Sequence, residues 1–400
     1  MTTTLNLAGQ LAAITGAEHV CTGAGAPTVL PANTQQISQV LRFANENHLA
    51  ITPVGGGTKQ SWGNPVQPSI YLSLTRLNRV VEHPWQDLTC TVQAGCTWQQ
   101  LQQTLGQHGQ FVALDPLWLE RATVGGILAT NDSGALRHRY GSLRDLVIGM
   151  TLVLADGTVA RSGGKVVKNV AGYDLCKLVT GSFGTLAVVT EATFRLHPLP
   201  QHTQTFTVSA PQAAHLAPLM QTIRASHLLT QALQLRGGTD GFHLDIQLNA
   251  HPEARQSEIL AQMAQQSGSF VSGNISDGVW QARETLFSNK EALILKVGIL
   301  PTDIAQIADE IIRLGGVVVA QAIGIIYAAF PHIGRDHSPL GSLSAYTDSG
   351  SMVVLQTPSN PPADSMPPWG AKDPHTLMQA VKHQFDPDQT LNPGRFLGGI

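Results

Sequence analysis

The chain carries none of the short-range cysteine pairs that hold metals. Its four cysteines, Cys21, Cys90, Cys96 and Cys176, include no CxxC spacing, so the common zinc and iron–sulfur frameworks are excluded. Free buried thiols in a reducing compartment are expected. The first basic residue is Arg42, and without an early charged region a secretory signal is not expected. The formal net charge is −3, which gives no broad attraction to nucleic acid or anionic lipid. One long apolar run exists, Leu314 to Phe330, and it is about one turn short of a comfortable bilayer span. It is rich in β-branched residues and interrupted by Gly315, Gly316, Gln321 and Gly324, so two buried strands and a turn are expected, with no membrane span. Two nucleotide loops are also missing. The pattern GxxxxGK[ST] fails because Gln60 follows Lys59, and GxGxxG fails because Gln60 occupies the third glycine position. There is no internal repeat and no low-complexity tail.

Glycine, by contrast, is abundant: 39 residues in 400, above the usual ~7%, with much of it clustered between 55 and 184. The length allows two domains. Apolar spacing predicts a helix over 34–48 with Thr34 as its cap, and a strand at "ITPV" running into the glycines. Further strands are expected at 69–74 and 88–95. Thr97 and Gln100 form a capping-box pattern ahead of a helix ending at Gly106. Asp156-Gly157 reads as a hairpin turn, and 184–200 as one long strand. After Pro200 the pattern changes to strands 203–209, 231–236, 242–248 and 292–299 among helices 211–226, 251–266, 278–288 and 302–314. That mixture suggests a sheet with helices on one side. Residues 358–374 contain six prolines and read as a linker, followed by a helix over 375–384.

Gly55, Gly56 and Gly57, followed by Thr58 and Lys59, stand just after a strand. Consecutive glycines permit positive φ and close backbone approach, so successive N–H groups can converge on one anion such as a diphosphate. One such loop is weak evidence. A second glycine pair with a polar cluster follows in "ATVGGILATNDSG" (122–134), where 123–128 has the form of a helix start offering amides to phosphate. A third lies in "GYDLCKLVTGSFGTLAVVTEA" (172–192). Three such loops beside strand ends suit a groove for an extended dinucleotide.

The ordered set PVGGGT, ATVGG, RYGS, LADG, GSFGTLAVVTE and LNPG resembles the FAD-binding domain of the vanillyl-alcohol-oxidase, or PCMH-type, flavoprotein family. The resemblance covers roughly 25–200 and the last twenty residues. It implies an α+β fold: a PCMH-type FAD-binding domain of two α/β subdomains over 25–200, after an amino-terminal segment 1–24. A cap domain with an antiparallel sheet would span 201–357, and after the linker 358–374 the segment 375–400 would return to the FAD domain. The resemblance also implies cofactor contacts. They are Pro53, Val54, Gly55, Gly56, Gly57, Thr58, Lys59 and Gln60 in the first loop, with Pro116, Thr123, Val124, Gly125, Gly126, Ala129, Asn131, Ser133 and Gly134 around the second. Tyr140, Gly141, Gly184, Val188, Val189 and Asn392 complete the set. Thr58 and Lys59 stand where some members carry an attaching His, so FAD is expected to be non-covalent.

Two features of the family's 2-hydroxy-acid dehydrogenases are missing. Their His-x-Gly-Asp-Gly-Asn-x-His stretch, which supplies metal ligands and a base near neutrality, has no counterpart near 330–356, where only His332 and His337 stand. Val167 and Ala171 occupy the positions of an Arg and a Thr that grip a substrate carboxylate, and Val supplies no bidentate clamp. The stretch "GGKVVKNVAGYDL" is similar to one branch of the family, the FAD-binding E subunits of heteromeric glycolate oxidase. That resemblance implies assembly with a catalytic FAD-binding subunit and an iron–sulfur subunit. It also implies glycolate, a small 2-hydroxy acid, as substrate and a cytoplasmic location, with the membrane reached only through partners. Lys165, Lys168 and Lys177 are expected to face a partner, the flavin or solvent, and solvated lysines are the commoner case. No catalytic residue or metal ligand is assigned. Two alternatives stand beside this reading: a self-sufficient dehydrogenase with a base such as His243, and a non-catalytic scaffold.

Overall fold

The computed structural model describes residues 6–23, 25–165, 172–249, 255–268, 271–272, 277–332, 339–344, 346, 350–359, 369 and 375–400. The chain divides into two units, each with its own apolar core. The first comprises Met1–Asp132, Ser142–Leu199 and Ala371–Ile400; the second comprises Ser133–Gly141 and Pro200–Gly370. Val167, Ala171, Lys168 and His337, together with nearly all of 358–374, lie outside the described residues.

The first unit holds two principal sheets. In one, β1 (Val20–Cys21), β2 (Thr28–Val29), β4 (Ile70–Ser73) and β3 (Ile51–Val54) lie side by side in that order, with β4 parallel to both β2 and β3. The helix Thr34–Glu46 carries the chain from β2 to β3, because parallel strands need a crossover, and it buries Ile37, Val40, Leu41 and Ala44. Its cap is Asn33, whose side chain accepts from the Gln36 amide. Thr34 is already helical, because the extended backbone a cap needs falls at Asn33. The second sheet is antiparallel, in the order β5 (Val80–Glu82), β6 (Thr89–Gln93), β10 (Val188–Arg195), β8 (Val147–Val153) and β9 (Val159–Gly163). Gly157, at positive φ, turns β8 into β9. The helix Trp98–Gly106 is capped by Thr97, but Gln100 does not close a box: its side chain donates to the Asn78 carbonyl. The strand expected at 184–200 begins only at Val188, since 181–187 is spent on turns.

The second unit is built on eight antiparallel strands, ordered 271–272, 203–210, 241–249, 230–238, 317–321, 325–330, 293–298 and 351–356. The apolar run near 314–330 forms two of them with a turn between. Leu233, Leu235, Leu244 and Ile246 point to the helical side, where Ala213–Ala225 and Ile304–Arg313 complete the core. The alternating positions make a polar face. There Asp245, fully buried, accepts from Thr207 Oγ1 at 2.7 Å, Gln234 Nε2 at 3.0 Å and the Arg236 guanidinium at 2.5 and 2.9 Å. The expected helix over 278–288 is a 3₁₀ turn, Asp277–Gln281, and a short helix, Ala282–Thr285. Among the described residues no helix is long and apolar enough to cross a membrane.

The four cysteines are free; Cys90, Cys96 and Cys176 are buried, whereas Cys21 is exposed, contrary to expectation. Burial pushes the Cys90 thiol up to about 12 and the Cys96 thiol to about 11, so neither forms thiolate near neutrality. Intact-mass analysis after iodoacetamide at pH 8 is expected to show one adduct on the native protein, at Cys21, and four in denaturant. Asp245→Ala leaves Thr207 Oγ1, Gln234 Nε2 and the half-buried Arg236 guanidinium without their acceptor and is expected to cost about 3 kcal/mol in urea unfolding.

Candidate functional site

The first unit contains a slot of about 740 Å³, mouth included, walled by three loops and the carboxy-terminal segment. Pro53, Val54, Gly55, Gly56, Gly57, Thr58, Lys59 and Gln60 form one wall. Thr123, Gly125, Gly126, Ala129 and Thr130 form a second, at the helix Val124–Thr130, which Thr123 caps. Val179, Ser182, Phe183, Gly184, Ala187, Val188 and Val189 lead into β10, and Asn392 and Arg395 close the slot.

The glycines have a steric reason as well as an electrostatic one. A Cβ on Gly55 would lie 2.0 Å from Thr123 Oγ1, and one on Gly56 1.8 Å from the Arg121 carbonyl oxygen. The first loop thus lies against the 121–123 bend, Gly56 on the Arg121 backbone and Gly55 on the Thr123 hydroxyl, a closeness that only bare residues allow. Gly57 has open space around it and a φ of 69°, so its requirement is conformational.

Lys59, expected to serve through its backbone amide, lines the slot, and its side chain has a partner within the protein. Its side chain is buried, with Nζ 3.2 Å from the carboxylate of the fully buried Asp132 and 5.7 and 5.2 Å from the Trp62 and Trp118 ring centres. Asp132 also accepts from the Leu117 amide at 2.8 Å, so one carboxylate joins three loops. From the other side, Arg395 Nη2 donates to the carbonyls of Gln60 (2.9 Å), Lys59 (3.3 Å) and Trp62 (3.4 Å), and Nη1 to Gln60 Oε1 (2.8 Å). Lys382 braces the same segment. Its Nζ donates to the Thr185 and Leu391 carbonyls at 2.8 and 2.9 Å and pairs with Asp386 at 2.5 Å.

Among the described residues, Lys59 and Arg395 are the charged ones lining the slot, and Lys59 is paired with Asp132. Ser182 Oγ, Asn392 Oδ1 and Arg395 Nε, buried atoms on lining residues, have no hydrogen-bond partner among the described residues. A guanidinium without a carboxylate, packed glycine loops and unused donors and acceptors fit an anionic, hydrogen-bonding ligand of dinucleotide type.

Other expected residues lie elsewhere. Pro116 and Val124 are buried without lining the slot, and Asn131, at positive φ, ends the helix Val124–Thr130. Ser133, Gly134, Tyr140 and Gly141 belong to the second unit. There the Ser133 carbonyl accepts from Arg283 and Gln321, and the Tyr140 hydroxyl donates to Gln231 at 2.5 Å. His243 is held at both ring nitrogens, Nδ1 by Ser209 at 2.8 Å and Nε2 by Asp240 at 3.1 Å. Lys165 pairs with Glu82, and Lys177 with Asp174. Sequence reasoning missed Leu74, Thr130, Val179, Ser182, Phe183, Ala187 and Arg395 as lining residues; "LNPGR" pointed to Asn392 and stopped short of the arginine.

The architecture is that of a PCMH-type FAD-binding fold. Residues 26–163 match the family model described as FAD binding domain, and FAD is the cofactor of this domain. A solved structure of alkyldihydroxyacetonephosphate synthase superposes with a TM-score of 0.69 over 93% of this chain and 76% of that one, at 17% identity, a likeness of fold. Among curated proteins, the chain is 38% identical over 178 residues to glycolate oxidase subunit GlcD of Bacillus subtilis, covering 44% of this chain and 38% of that protein. It is 34% identical over 216 residues to the mitochondrial cytochrome D-lactate dehydrogenase of Arabidopsis thaliana, covering 52% and 38%. It is 36% identical over 196 residues to the mitochondrial D-2-hydroxyglutarate dehydrogenase of Bos taurus, covering 49% and 36%. The chain therefore spans less than two-fifths of the length of each.

Gly56→Ala is expected to force the first loop off the 121–123 bend. An overpacking cost of about 1–3 kcal/mol should appear in thermal unfolding, together with an at least ~10-fold weaker FAD affinity by fluorescence titration.

Proposed function

We propose that this chain is the FAD-binding subunit of a heteromeric oxidase or dehydrogenase of a small 2-hydroxy acid, glycolate above all. It would support or relay electron transfer and leave the main substrate site to a partner subunit. The observation that carries the reading is the slot, lined by Arg395, which has no carboxylate partner among the described residues, and by a glycine loop seated tightly on the 121–123 bend. FAD, when bound, supplies the two-electron acceptor for oxidation of a carbon bearing a hydroxyl. The chain's own residues would hold it: the 53–60 loop and Gly125 and Gly126 along the diphosphate, and Gly184, Val188, Val189 and Asn392 at the adenosine end. None of the described residues lining the slot is His, Cys or Tyr, which supports non-covalent binding. The names of the relatives support a 2-hydroxy-acid substrate, since they include a glycolate oxidase subunit and two hydroxy-acid dehydrogenases. The division of labour rests on Val167 and Ala171, which replace the carboxylate grip of the catalytic branch, and on His243, whose two ring nitrogens are both engaged. The partners would be a catalytic FAD-binding subunit and an iron–sulfur subunit, in the cytoplasm.

The chain is purified alone and together with its partner subunits. FAD is expected at one per chain, released by denaturation, with glycolate-dependent dye reduction only in the assembled complex. Full turnover by the isolated chain would replace this reading with a self-sufficient dehydrogenase. Absence of bound flavin with assembly intact would replace it with a scaffold.

A further inference from the structure

Two other buried cations are paired with carboxylates, Lys59 with Asp132 and Lys382 with Asp386, and buried Arg283 bonds the Ser133 carbonyl and the Tyr327 hydroxyl. Arg395 is 4% exposed and, among the described residues, has no carboxylate partner. Its polar contacts are to neutral oxygens of Lys59, Gln60 and Trp62, and its Nε has no acceptor. A buried charge surrounded only by dipoles is costly, and burial accordingly pushes the guanidinium down to about 10. The residue nevertheless lines the slot, beside the glycine loop whose carbonyls it grips and beside Ser182, whose buried hydroxyl also lacks a partner. A brace needs hydrogen bonds but no charge, so a neutral amide would serve it. The net charge is explained by an anion that arrives from the slot.

We propose that Arg395 is an anion-binding residue of the slot, receiving the negative charge of the FAD diphosphate while it braces the loop that wraps the same group. The inference rests on the FAD reading and adds to it a residue from the carboxy-terminal segment. Its energetic logic is exchange: a guanidinium held by neutral oxygens gains a charge-assisted pair when the diphosphate binds.

The flavin-free chain, as wild type, Arg395→Gln and Arg395→Lys, is titrated with FAD, and ADP and adenosine are used as competitors. Arg395→Gln is expected to weaken FAD and ADP by about 10- to 100-fold and to leave the adenosine inhibition constant within about twofold, with Arg395→Lys recovering most of the loss. Equal weakening of ADP and adenosine would reduce Arg395 to a loop brace and overturn the proposal, as would no weakening of either. Should Arg395→Gln fail to fold, Arg395→His carries the test. Its ADP affinity should rise as the pH falls through the imidazole range, near 6.5, while adenosine stays flat; a flat ADP profile overturns the proposal. Wild-type chain that does not bind FAD would remove the flavin reading itself. Wild type that binds FAD, with indifferent variants, removes only this inference.

Discussion

Everything in the slot depends on two backbones lying against each other. The 55–57 loop rests on the 121–123 bend at distances that leave no room for a single methyl group at Gly55 or Gly56. Gly56 meets the Arg121 carbonyl and Gly55 the Thr123 hydroxyl, so the loop is seated by its bare backbone and commits no side chain of 55–57 to the slot. The loop's amides therefore remain free to serve a ligand. Side chains then hold the arrangement from behind: Lys59 through Asp132 on one side, Arg395 through three carbonyls on the other.

These anchors use buried charge in different ways. The Lys59–Asp132 and Lys382–Asp386 pairs are internally neutral and act as local staples, each drawing in further backbone groups. Breaking such a pair is expensive even where forming it contributes little net stability, since the remaining charge is stranded. The same logic governs Asp245 in the second unit, where a polar face of the sheet is organised by one carboxylate with four donated bonds. Arg395 lacks that neutrality, and this is why it points beyond the protein.

Much of the slot was legible because glycine clusters and a cap-capable threonine are local signals. Gly55 to Gly57, Thr123, Gly125 and Gly126 each stand in a short pattern with its own physical meaning. Arg395 was not legible, because its partner Gln60 lies 335 residues away and nothing in "NPGR" announces a carbonyl grip. Lys59 was read for its amide, whereas its side chain answers to an aspartate 73 positions on. The allegiance of Ser133–Gly141 was hidden for a similar reason: their hydrogen bonds run to residues beyond 230. Smaller misses were local competitions. Asn33 and Thr34 are both competent caps, and the backbone angle chose between them. Gln100 had a carbonyl at Asn78 within reach and used it.

The carboxy-terminal segment gives the fold a temporal order. Asn392 and Arg395 close a slot whose other walls end at Val189, and the intervening chain includes all of Pro200–Gly370. During translation the whole second unit is therefore made before the slot can shut. Until residue 395 is made, the first loop has its seat on the 121–123 bend and its Lys59–Asp132 brace but lacks the guanidinium that holds it from the other side.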